Sequence, residues 1–183
     1  MDLSIALEIA KIAVQALTPA VVGYLGWKVS RRLKEIEQNQ WANRKITEKR
    51  IEIYERVSPL LNRLFCYFSY VGDWQRHSPK EIINTKRELD HAIHVNRYLL
   101  DDDVFNAYQR FIHEIFEHYT GAGEDAKIKS MIASVDGDRR KSTFFKWSDQ
   151  WISCFNTSDV PAKNRIFELY DAVMRAQRRG INA

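Results

Sequence analysis

Residues 3–50 read LSIALEIAKIAVQALTPAVVGYLGWKVSRRLKEIEQNQWANRKITEKR, and the change of character at Trp27 decides how the chain is organised. Up to Trp27 the segment is mostly Leu, Ile, Val and Ala, and Ile12–Trp27 carries no charge. A bilayer core about 30 Å thick takes roughly 20 helical residues, a length that Ile5–Trp27 supplies and Ile12–Trp27 alone does not. From Lys28 to Arg50, eight basic residues stand against Glu35, Glu37 and Glu48, a net +5. Residues 1–27 carry only Asp2, Glu8 and Lys11, and residues 51–183 carry 19 charges of each sign. The whole formal excess of +4 thus lies just after the apolar segment. Lys and Arg placed there resist translocation, which predicts a single transmembrane helix at 1–27 with the rest of the chain in the cytoplasm. Tyr24 and Trp27 suit the interfacial aromatic belt, and Lys28, Arg31, Arg32 and Lys34 suit the headgroup layer. A cleavable signal peptide fits poorly, because the basic residues follow the apolar run and no small-x-small site is evident. The same pattern also suits an amphipathic helix lying in the membrane surface, or a buried helix of a bundle.

Within the apolar segment, Ser4, Glu8, Lys11, Gln15 and Thr18 recur at steps of four and three, one face of a helix. Ionisable groups facing lipid are costly, so such a stripe prefers other copies of itself or water. This predicts a homo-oligomer whose Glu8, Lys11, Gln15 and Thr18 converge on a polar seam or pore.

The remaining chain reads as helix. No Gly or Pro interrupts Trp27–Ser58, where Lys, Arg, Glu and Gln dominate, so a basic juxtamembrane helix is expected over 28–58. Trp41 stands alone in its polar middle and marks a packing point between copies. A helical bundle is expected over 59–183. Ile53, Tyr54, Val57, Leu60, Leu61, Leu64, Phe65 and Phe68 repeat at helical spacing, with a kink or restart at Ser58-Pro59. Ser78-Pro79 with Glu81 reads as an N-cap with proline at the first helical position. Asp101-Asp102-Asp103 opens a further helix, whose stripe Val104, Phe105, Tyr108, Phe111, Ile112, Ile115, Phe116 and Tyr119 is the clearest in the chain. Thr120-Gly121-Ala122-Gly123 ends it. Short helices are expected at Ala126–Val135, with Ile128, Met131, Ile132 and Val135 inward, and at Lys141–Phe155, carrying Phe144, Phe145, Trp147 and Trp151. Asp159-Val160-Pro161 starts a last helix burying Ile166, Phe167, Tyr170, Val173 and Met174. No stretch alternates at period two, so the fold class is all-α. Composition agrees: 45% apolar and 28% charged residues exclude wholesale disorder, while 7 Gly and 4 Pro disfavour a turn-rich β fold. Two cysteines, Cys66 and Cys154, make no disulfide framework.

Few constellations carry chemistry. The five histidines lie between His77 and His118, and Glu88-x-x-His91 is half of a di-iron bundle motif without its second half. No metal and no cofactor is expected. Residues 120–127 lack the Gly-Lys-Ser/Thr ending of a phosphate loop. Arg87 and His94, six residues between them, match the Arg-x(4–6)-His motif of HEPN ribonucleases, in which Arg and His converge on a scissile phosphate. Glu88 departs from that family's usual Asn, Asp or His after the arginine, and a solvated face with Arg87 linked to Asp90 or His91 accounts for the same residues.

An apolar N-terminal helix, a basic collar, a helical bundle and a divergent Arg87/His94 pair together resemble small bacterial antiviral-defence membrane effectors, in particular the membrane accessory proteins of type VI-B CRISPR loci. The resemblance implies a non-enzymatic, ring-shaped membrane pore in the bacterial inner membrane, with the bundle cytoplasmic. It implies as partners the lipid bilayer, other copies of the chain, and a cytosolic defence protein or RNA-bound complex. Two alternatives remain open: a membrane-tethered HEPN-like ribonuclease using Arg87 and His94, and a membrane adaptor that docks a cytosolic partner on the neutral bundle.

Overall fold

A computed structural model describes the backbone of residues 3–118 and 121–182, and the side chains of residues 11–118 and 121–181 except 13, 14, 16 and 20. Helix α1 runs Leu3–Ser69, α2 Pro79–Val95, α3 Asp102–Ile115, α4 Arg139–Ser142 and α5 Lys163–Asn182. The chain is mostly helical, but strands β1 (Phe116–Glu117), β2 (Lys127–Lys129), β3 (Ala133–Ser134), β4 (Gly137–Asp138) and β5 (Phe155–Asn156) correct the all-α expectation. Residues 1–46 and 47–183 form two separate compact units.

In the first unit α1 is the whole structure. Every described side chain from Lys11 to Ile46 is exposed.

In the second unit α1 continues through Ser58-Pro59 without a break, where a kink or restart was expected. Pro59 and Glu55 both lie on the exposed side, so the carbonyl that proline leaves without a donor can turn to water. The inward stripe of Tyr54, Val57, Leu61, Leu64 and Phe68 is buried. It meets Ile82, Leu89 and Ile93 of α2, Val104, Tyr108, Phe111, Ile112 and Ile115 of α3, and Leu169 and Val173 of α5 in one apolar core. The N-terminus of α2 is a full capping box: Ser78 Oγ accepts from the Glu81 N–H and the Glu81 carboxylate accepts from the Ser78 N–H. Asp101 precedes α3 as its N-cap residue, with Asp102 and Asp103 in the first turn beside the positive end of the helix dipole. Helices α3 and α5 lie along each other, and the Tyr170 ring stacks on Phe65 at 4.6 Å.

Arg50 ties three elements of this unit together. Its guanidinium donates to the Leu99 carbonyl (2.7 Å), to Asp101 (2.8 Å) and to the Gly180 carbonyl near the end of α5 (3.1 Å). A Cβ at Gly180 would stand 2.8 Å from both Asp101 Oδ2 and Tyr54 Oη, so only glycine lets α5 approach this closely. Arg50, one of the eight basic residues counted after the apolar segment, is therefore engaged in the core unit.

The expected helices at 126–135 and 141–155 are not formed. Ile128 is buried as the middle residue of β2, which pairs antiparallel with β1 and parallel with β5. β3 and β4 make a hairpin, and Val135, expected inward, is fully exposed at its tip. Only the single turn of α4 and a 3-10 helix at Asp149–Cys154 are helical in the later stretch. Phe144 is exposed, whereas Phe145, Trp147, Trp151 and Phe155 form a ring cluster, two of its contacts edge-to-face at 5.5 Å and the Trp147–Phe155 contact tilted at 6.3 Å. In α5, Ile166 and Val173 are buried as expected, but Phe167 is exposed. Tyr119, expected to close the α3 stripe, lies outside the described residues.

Candidate functional site

The exposed arm of α1 holds most of the residues that the sequence singles out. Lys11, Gln15 and Thr18 are exposed, while the side chain of Glu8 lies outside the described residues. Tyr24, Trp27, Lys28, Arg31, Arg32 and Lys34 are all exposed. Tyr24 and Trp27 sit with ring centroids 6.2 Å apart, and the Arg31 guanidinium lies 5.8 Å over the Trp27 ring. Arg31 also pairs with Glu35 at 3.5 Å. The cluster thus joins two apolar ring faces to a charged tip on one exposed stretch of helix.

The transmembrane expectation for 1–27 is not supported: among the described residues, no helix is long and apolar enough to cross a membrane. The physical reason is length and polarity. The charge-free run has 16 residues, about 24 Å of helix against a hydrocarbon core of about 30 Å. Gln15, Thr18 and Pro19 dilute its hydropathy further.

Arg87 and His94 are both exposed on α2, seven residues apart, which is about 10.5 Å of helix rise. Each is held in a different network. Arg87 pairs with Asp125 at 2.5 Å and donates to Asn84 at 3.0 Å. His94 hydrogen-bonds the Gln109 amide at 3.3 Å and stands edge-on to the Phe105 ring at 5.4 Å. General acid–base work on one phosphate needs both groups on the same few ångströms, and these contacts draw Arg87 towards the 121–126 loop and His94 towards α3. The salt link foreseen for Arg87 exists, with Asp125 rather than Asp90 or His91.

Two further histidines are similarly absorbed. His113 and His118 stack at 4.0 Å, and His113 Nε2 meets Gln109 Oε1 at 3.1 Å. Desolvation, then the neighbouring positive charges of Lys86 and His113, lower the His118 pKa to about 4. Lys86 is buried and bonds Asp90 at 2.6 Å, and Tyr108 Oη donates to the other oxygen of Asp90 at 2.6 Å. Burial, reinforced by the Asp90 charge, pushes the Tyr108 hydroxyl far above the usual phenol range, so it stays a donor. This triad fastens α2 to α3. Among the described residues, no group of three or more His, Cys, Asp or Glu could hold a metal ion.

Two features escaped the sequence. The first is Arg139, fully buried at the start of α4. Its guanidinium lies 3.9 Å from the Tyr67 ring, 4.0 Å from Tyr70 and 5.4 Å from Trp74. It donates to the Tyr67 carbonyl at 2.9 Å and to Ser130 Oγ at 3.2 Å, while its Nη1 has no partner among the described residues. Tyr70 takes φ 58°, an uncommon conformation for a bulky residue. Its ring on Arg139 and its hydroxyl on the Met131 carbonyl (2.7 Å) hold it there. The second is an open groove between α3 and α5 lined by Asp103, Arg110, Phe167, Asp171, Arg175 and Arg179. Its charges largely compensate one another, with Arg175 on Asp171 at 2.6 Å and Arg179 on Asp103 at 3.3 Å. Neither feature has a sequence signature, because each is assembled from residues far apart in the chain.

The chain gives no match to a model of a known protein family, to a curated protein or to a solved structure.

Proposed function

We propose that this chain is an oligomeric membrane effector that acts through the N-terminal arm of α1, its bundle serving as the cytoplasmic body at a bacterial inner membrane. In this proposal the arms of several copies enter the bilayer together, Glu8, Lys11, Gln15 and Thr18 line a shared polar path, and ion flow along it collapses the membrane potential in antiviral defence. The observation that carries it is the exposure of Ile12, Leu17, Val21, Val22, Leu25 and Trp27, followed at once by an exposed basic collar. Contiguous apolar surface of this kind marks a membrane or protein contact. Lipid satisfies both halves, covering the apolar side chains and attracting Lys28, Arg31, Arg32 and Lys34 at about 1 kcal/mol each when the leaflet is anionic. Assembly answers the objection of polarity, because polar side chains that lipid would exclude face one another.

The experiment is flotation with phosphatidylglycerol and phosphatidylcholine vesicles, followed by conductance across a planar bilayer. Co-flotation with the anionic vesicles and ion conductance that changes in Lys11→Leu and Gln15→Leu are expected. Absence of conductance, or conductance indifferent to both substitutions, overturns the pore; absence of flotation overturns the membrane reading altogether.

A further inference from the structure

We infer that the arm pairs in parallel, in register, with the arm of a second copy of this chain, along one line of residues that is polar up to Thr18 and apolar from Val22. The line is Lys11, Gln15, Thr18, Val22, Leu25, Val29, Leu33 and Ile36. Its steps are of three or four residues, so it runs down one side of α1. Its first three members are polar in a segment that is otherwise apolar. Its last three, Val29, Leu33 and Ile36, are apolar in a segment otherwise rich in Lys, Arg, Glu and Gln, and Val22 and Leu25 lead into them. Each end of the line is thus out of place in the medium that suits the rest of its own segment. Facing the same line of another copy covers the apolar end and sets Gln15 and Thr18 beside side chains of the same kind, where hydrogen bonds across the helices can form.

The apolar half has its own reason to be covered, independent of lipid. Val22, Leu25, Val29, Leu33 and Ile36 are 50–62% exposed. Their spacing is that of a helix–helix seam, with Val22, Val29 and Ile36 seven residues apart and Leu33 between the last two. Charge selects the direction. Lys28 and Arg32 flank the line on one side and Glu37 on the other, with Arg32 and Glu37 five residues apart. In a parallel pair that offset sets Arg32 against the partner's Glu37, and symmetry repeats the contact. An antiparallel pair would oppose the Lys28/Arg32 flank to itself. Arg31 and Glu35, which pair within the helix, lie away from the line. This pairing deepens the oligomeric reading but rests on the membrane only for its polar half.

Cysteine cross-linking of the full chain in detergent tests it. Val22→Cys, Val29→Cys and Ile36→Cys should each give a disulfide-linked dimer under mild oxidation, whereas Trp27→Cys and Lys34→Cys, on the opposite side, should not. Like-to-like linkage at three positions spread over four turns requires parallel register. Arg32→Glu should weaken association about two- to fivefold, as loss of an exposed ion pair does, and Arg32→Glu with Glu37→Arg should restore it. Equal linkage from both sides, or none from the line, overturns the pairing even when the protein conducts. Linkage confined to the line without conductance leaves the pairing standing and removes the pore.

Discussion

Along one helix, Val29, Leu33 and Ile36 are exposed, while Val57, Leu61 and Leu64 are sealed from solvent. The residue types hardly differ; what differs is whether other parts of the chain supply a partner. From Thr47 onward, α2, α3 and α5 bring Ile82, Phe111 and Leu169 to the helix. Before it, the described large apolar side chains from Ile12 to Ile46 are exposed. Isolated helices draw little stability from propensity alone, and tertiary burial of one face normally decides the matter. The bundle is therefore a structure that the chain completes by itself, and the arm is one that it completes with something else. The proposed function puts stability in the bundle and action in the arm, a division that substitution can break.

The largest effect expected is in the core. Leu61→Ala removes a fully buried side chain from the contact of α1 with its neighbours. It should cost about 3–5 kcal/mol of unfolding free energy, transfer and cavity terms together. Leu25→Ala in the arm should leave the unfolding midpoint of monomeric protein within about 0.5 kcal/mol of wild type. Parallel denaturant titrations compare them. Equal losses at the two positions would mean that the arm is folded into the same cooperative unit.

Next in size is Arg139, on which the bundle's least regular part depends. Its guanidinium holds the end of α1 through the Tyr67 carbonyl and packs on Tyr67 and Tyr70. Arg139→Ala should cost about 2–4 kcal/mol, through an unpaired carbonyl, lost cation–π contact and a cavity. Arg139→Met, which refills the volume without a charge, should recover part of that loss, since a buried cation with no anion is itself expensive. A denaturant series on wild type and the two variants measures both. If Met proves worse than Ala, the cage is held by charge rather than by packing.

This region also shows where legibility ended. The capping box at Ser78 and the Asp101–Asp103 start were readable because a helix terminus is specified by adjacent residues. The α3 stripe was readable because fourteen residues repeat one period. Strands of two or three residues, such as β1 and β2, are too short to display a period of two at all. Ile128, Met131, Ile132 and Val135 happen to fall at helical steps, yet the first sits in a three-stranded sheet and the last at a hairpin tip. The aromatic run Phe144–Phe155 likewise imitates a helix face, although its rings meet as a cluster around a 3-10 turn. As for the site, the arm's residues were legible as types and spacings. Arg139 in its cage was not, being surrounded by residues about seventy positions away.

A smaller effect concerns pH. The folded protein holds His118 with its pKa lowered to about 4 from 6.5, by desolvation and by Lys86 and His113, against an opposing pull from Asp90. Between those values the unfolded chain binds the extra proton and the folded one does not, so stability is full above about 6.5 and falls as pH drops towards 4. Because the ring is also exposed to solvent, screening limits the loss from this group to less than about 1 kcal/mol. His118→Gln should flatten that part of the profile, as followed by thermal unfolding at pH 7.5, 6 and 5. A profile unchanged by the substitution would shift the origin of any acid sensitivity to other groups.

The smallest effect is the one that most sharpens the division between the two regions. Arg87 and His94 are exposed, and their partners Asp125, Asn84 and Gln109 all lie in the same unit. An exposed ion pair contributes about 0–1 kcal/mol, so Arg87→Ala with His94→Ala should change unfolding free energy by no more than about 1 kcal/mol. If action belongs to the arm, the double variant should float with vesicles and conduct as wild type does, and labelled RNA should survive incubation with either protein unchanged. The outcome that breaks the comparison is cleavage of RNA by wild type and not by the double variant. Two groups drawn to different neighbours in this structure would then have to converge, either by exchanging the Asp125 contact or across two copies of the chain, and the bundle would carry chemistry of its own.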